Sequence, residues 1–116
     1  MNSRQIKKQL TRVLNEVNAA RKILGLQKLA ALPQGVPSSS EHLMTQCPLA
    51  LGLPVVAVGE DYLQVADAKQ AELLAHHFRT NAYRHDSTGY EIDLPPVFTA
   101  FVRSYDEGKF PSLVAR

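Results

Sequence analysis

The chain of 116 residues has no tryptophan, a single cysteine and no long apolar run. One cysteine cannot close an intramolecular disulfide, so nothing points to an oxidising compartment. No apolar segment approaches the roughly 20 residues that span a bilayer. The first residues are charged and amphipathic, unlike a secretory leader. A cytoplasmic protein with no membrane partner is therefore expected. There is no Gly-rich phosphate loop, no Gly-x-Ser-x-Gly elbow and no close pair of Cys or His ligands. Residues 1–32 hold no aromatic residue, and no zinc finger or ribonucleoprotein aromatic signature occurs. These gaps predict no catalytic residue, no metal site and no cofactor.

What is present is a composition of 45% apolar and 21% charged residues, enough for one domain with a real core. The net charge of +2 is unevenly spread: residues 1–32 carry seven Lys or Arg against Glu16 alone, and residues 33–116 are net acidic. A basic end suits nucleic acid or the acidic face of another protein. The acidic remainder could equally attract its own basic helix, or a second copy's, and the charged face can also be simply solvated.

The basic end coincides with the clearest periodic pattern. Ile6, Leu10, Val13, Val17, Ala20 and Leu24 recur at alternating spacings of four and three, which predicts a helix over 3–24 with an apolar seam. Ser3 is placed to cap its start, and Gly25 stands where a left-handed residue would end it. At 1.5 Å per residue the rod is about 33 Å long. Arg4, Lys7, Lys8, Arg12 and Lys22 run behind the seam and are the candidates for phosphate contact. The seam itself can pack into the chain's own core, join two copies, or dock a protein partner. Leu14 broadens the stripe, which favours globular packing over a thin two-stranded seam.

Beyond this helix, Leu26 to Leu32 either continues helical or breaks before Pro33. Residues 33–40, rich in Pro and Ser, read as a loop between the helix and a compact body over 41–116. In that body Cys47-Pro48 starts a short helix, because proline suits the first helical position. Residues 55–58 and 62–65 form a hairpin around Gly59-Glu60-Asp61. Asp67 caps a helix to about Arg79, residues 80–89 form a mobile loop, and Tyr90 to Leu94 alternates as a half-buried strand. Pro95-Pro96 opens a last helix with Val97, Phe98, Phe101, Val102 and Tyr105 on one face, ended by Gly108. Phe110 and Leu113 tack the tail onto the body. The expected fold is α+β: a small three-stranded antiparallel sheet with helices on one face and a long N-terminal helix.

Other candidates for chemistry are weaker. Cys47 at a helix start is where amides favour a thiolate, yet a lone intracellular cysteine usually packs as a small apolar residue. His76 and His77 are adjacent and diverge by about 100° on a helix, so they cannot easily share a metal. A zinc site would have to gather one of them with Cys47, His85 and Asp86 from separate segments. Glu91 and Asp93 share a strand face, as a general acid and base would, but charged residues on a sheet edge also block unwanted pairing.

Three pieces, Cys47-Pro48-Leu49-Ala50, Leu94-Pro95-Pro96 and the ending from Phe101 to Leu113, make the chain resemble a group of short proteins from actinobacteria and their phages. That group has no known activity, so the resemblance implies no site and no partner. The residues themselves favour a non-enzymatic interaction protein that self-associates or docks a protein partner through helix 3–24. The alternative is a nucleic-acid-associated protein using the basic face of that helix.

Overall fold

The structure, a computed structural model, describes residues 2–36, 46–59, 61–85 and 89–114. Helix α1 spans Ser3–Ile23, and its cap lies one residue earlier than the sequence pattern suggests. Asn2, not Ser3, holds the N-cap: its Oδ1 accepts from the Gln5 amide at 2.9 Å and Gln5 Oε1 accepts from the Asn2 amide at 3.0 Å. This reciprocal box satisfies two amides that helix geometry leaves over. At the other end Gly25 takes φ +76°, while Leu26 N–H bonds to Arg21 C=O and Gly25 N–H to Lys22 C=O. That pair of bonds turns the chain sharply out of the helix.

The segment after the turn is not helical; it runs back along α1. Two side chains hold it there. Asn18 donates to Leu29 C=O at 3.0 Å and accepts from Leu29 N–H at 2.8 Å, and Arg21 donates to Gln27 C=O and to Gly52 C=O. Of the stretch expected as a loop, Pro33 to Val36 is stitched to the tail. Gly35 N–H donates to Leu113 C=O, and Gln34 donates to Ser112 C=O. Residues 37–45, including Glu41 and His42, lie outside the described residues.

Helix α2, Pro48–Gly52, has Cys47 as its N-cap and proline at its first position. Strands β1 (Ala57–Val58) and β2 (Tyr62–Val65) form the hairpin, with Val58 opposite Leu63. Asp67 caps α3, Ala68–Phe78, by accepting from the Gln70 amide at 2.8 Å. The sheet has four strands, not three. Residues 82–85, placed in a mobile loop by their polarity, form β3, which pairs with β4, Gly89–Asp93. Its described side chains are exposed, so the strand carries no apolar alternation that a sequence pattern can detect. The order is β1-β2-β4-β3, all antiparallel. Glu91 and Asp93 therefore lie on an interior strand, not an edge, on the face opposite buried Ile92. Asp93 accepts from the Thr80 hydroxyl at 3.1 Å.

Helix α4, Pro96–Asp106, buries Phe98, Phe101, Val102 and Tyr105, and the tail returns Phe110 to stack on Phe101 with ring centroids 5.2 Å apart. Helix α3 packs across β2, β3 and β4, and α1 lies against α3 and α4. Val13, Val17 and Ala20 share a single apolar core with the sheet and α4. The two Asn18 bonds are the most specific tie between α1 and the returning segment. Asn18→Ala should lower stability by about 1–2 kcal/mol, since each intramolecular hydrogen bond contributes about 1 kcal/mol. Urea unfolding checks this, and an unchanged midpoint would show that Leu29 needs no such anchor.

Candidate functional site

The six seam positions separate into two sets. Val13, Val17 and Ala20 are fully buried within the chain. Ile6 and Leu10 stay half-buried toward the N-terminus, as does Leu24 at the other end. Beside Ile6 and Leu10 the surface opens into a groove of about 410 Å³. One wall is α1, with Ile6, Leu10 and Leu14; the other is the tail, with Phe110 and Leu113, and Leu32 contributes from the returning segment. The middle turns of the seam are therefore sealed in the core, while its first turns pack against that core and line an apolar groove.

Cations border this groove. Lys7 and Lys109 line it, and Lys109 Nζ pairs with Glu107 at 2.8 Å, which holds the Glu107 carboxyl below its ordinary range. Next to the groove Arg4, Lys7, Lys8 and Arg12 share one surface with Thr11 and Asn15, and no carboxylate lines it. None of these four cations makes an ion pair among the described residues. Lys22 does not join them: it is exposed in the last turn, ten residues or about 15 Å along the axis from Arg12. On the far flank of the cationic strip, Gln5, Gln9 and Arg12 meet Pro96, Val97 and Ala100 at the start of α4 in a second groove of about 380 Å³.

The tail half of the site was not visible as such in the sequence. Phe110 and Leu113 read only as anchors of the chain end, and Leu14, which lines the groove, read as a sign of globular packing.

The other candidates are placed apart. Cys47 is buried, its Sγ accepting from the Ala50 amide at 3.4 Å. Burial pushes its thiol above the ordinary 9.0, outweighing the amides of Ala50 and Leu49 that pull it down, and Asp106 adds to the rise. Nearby Tyr105 is pushed up to about 12, chiefly by burial. His76 is exposed, and the His77 ring lies 5.2 Å from that of Phe78. Asp86 lies outside the described residues. Among those described, no three of His, Cys, Asp and Glu are grouped to hold a metal ion, and no helix is long and apolar enough to cross a membrane.

No family model, no curated protein and no solved structure matches this chain.

The state of Cys47 has a measurable consequence. A thiol whose folded pKa exceeds its unfolded one keeps its proton in the native state after the unfolded chain has lost its own. Its contribution to stability is complete below the unfolded pKa and declines as pH rises from there toward the folded value. Stability should therefore fall as pH rises past the ordinary 9.0, and Cys47→Ala should flatten that decline; an equal slope in both proteins would place its source elsewhere. The native thiol should also resist a disulfide reagent that reacts at once in denaturant.

Proposed function

We propose that this chain is a non-enzymatic interaction protein that docks a protein partner through the N-terminal half of α1. The observation that carries the reading is the division of the seam. Ile6, Leu10 and Leu14 stay half-buried along a groove whose far wall is the tail over 109–113, whereas the burial of Val13, Val17 and Ala20 is already complete within the chain. Concave apolar surface with a polar rim is the form that partner sites take.

Between a different protein and a second copy, electrostatics favours the former. Two copies joined groove to groove would bring two Lys7 to one apolar contact, with Arg4, Lys8 and Arg12 of each close by. Like charges at a desolvating contact oppose association. The clustering of four cations with no carboxylate among them also supports a second reading, phosphate contact with nucleic acid and no sequence reading. The apolar groove beside them is what that second reading leaves unused.

The test compares wild type with Ile6→Ser/Leu10→Ser and with Arg4→Gln/Lys7→Gln/Lys8→Gln/Arg12→Gln, each first shown to unfold cooperatively. A protein captured from cell extract should be purified and titrated back against all three. The serine pair should weaken it at least about tenfold, or about 1.4 kcal/mol. Should the serine pair bind as wild type does, the groove is not the site. A bound species rich in 260 nm absorbance, removed by salt and lost only in the glutamine variant, would replace the first reading by the second.

A further inference from the structure

We infer that the segment occupying this groove is an acidic amphipathic helix, lying along α1 for about three turns. The inference rests on the docking reading above and names the partner's chemistry.

Length comes first. The α1 wall runs from Ser3 to Leu14, and eleven residues of rise make about 17 Å, room for apolar anchors spaced i, i+3 or i+4, and i+7 on a facing helix.

The walls favour a helix. One wall is the side of α1, against which a facing helix packs through side chains alone. On the tail, the carbonyls of Phe110, Pro111, Ser112 and Leu113 already accept hydrogen bonds from Leu113, Val114, Gln34 and Gly35 in turn. A helix brings its own backbone bonds and needs none from the groove.

Charge sets the last requirement. Lys7 stands in the groove and Arg4, Lys8 and Arg12 beside it, without ion pairs among the described residues. The first turn of α1 holds no acid. Arg4, in that turn, therefore faces the positive end of its own helix dipole. Carboxylates on the flank of an incoming helix answer both. A partner of neutral or basic flank would leave this strip as it is or repel it.

Four synthetic peptides of about 15 residues separate the requirements. They carry leucine anchors with a Glu flank, the same anchors with a Gln flank, the same with a Lys flank, and a Glu flank with serine in place of the anchors. Titration calorimetry on the full chain should show the Leu/Glu peptide binding at least tenfold more tightly than the Leu/Gln one, and no binding by the other two. Lys7→Gln/Lys8→Gln/Arg12→Gln should reduce the Leu/Glu peptide to the Leu/Gln level. Amide shift changes on the wild type, which need no variant to fold, should centre on Ile6, Leu10, Leu14 and Phe110 and spare Tyr83 on the sheet. Equal affinity for the Glu and Gln peptides overturns the acidic class while leaving the groove as a docking site. Shift changes away from the groove overturn the docking reading with it. No binding by the Leu/Glu peptide, or its displacement by a single-stranded oligonucleotide that binds more tightly, overturns the inference.

Discussion

The full burial of Val13, Val17 and Ala20 is the contact on which the rest of the molecule depends. An isolated helix of about twenty residues is marginal in water, because its nucleus is costly and each added residue gains little. Burying a valine side chain stabilises by about 1.5–3 kcal/mol, so the last turns of α1 are held by the core and not by helix propensity. The Asn18 and Arg21 bonds then fix the returning segment against the same turns. The first turns are extended from this anchored end and finished by the Asn2–Gln5 box. Packed on the core in this way, the helix presents exposed Lys7 and Lys8 beside half-buried Ile6 and Leu10 in a defined arrangement, which is what a recognition surface requires.

The tail depends on the same arrangement. Phe110 is buried against Phe101, and Gly35 and Gln34 tie the chain beside it to Leu113 and Ser112. These bonds place Leu113 and Phe110 opposite α1 and create the second wall of the groove. The groove is thus a by-product of closing the core. The tail covers part of the seam and leaves Ile6 and Leu10 half-buried.

Most elements were legible because each carried its own local signal. The four-three spacing marked α1, Gly59 to Asp61 marked the hairpin, Asp67 marked the start of α3, and the Pro-Pro pair marked α4. Each such signal acts over a few residues, where sequence and structure are directly linked. Strand β3 carried none: its pairing to β4 is satisfied through backbone, and exposed Ala82, Tyr83 and Arg84 leave no alternation to detect. Missing it also put Glu91 and Asp93 on an edge strand, when Glu91 is paired on both sides, with Gln64 and with Tyr83. For the site, the pattern identified which α1 residues are apolar and which are basic. Which apolar residues the chain itself would bury depends on Phe101, Phe110 and the path of the tail, a long-range property that spacing does not encode.

The charge on α1 is the feature with the least account in the fold itself. Arg21 and Lys22 in the last turn follow the helix dipole, and Arg21 is further used in bonds to Gln27 and Gly52. Arg4 in the first turn opposes it, and Lys7 and Lys8 add like charges in the second turn on the same surface. Nothing in the described structure offsets this, since no acid stands in the first turn and the surface they share carries no carboxylate. Local rules broken without compensation inside a fold are most often found where a molecule meets something else. An acidic helix in the groove would relieve the dipole conflict and the like-charge repulsion of the strip in one contact. The same charges that weaken the free helix would then contribute to the complex, and more strongly where the groove excludes water.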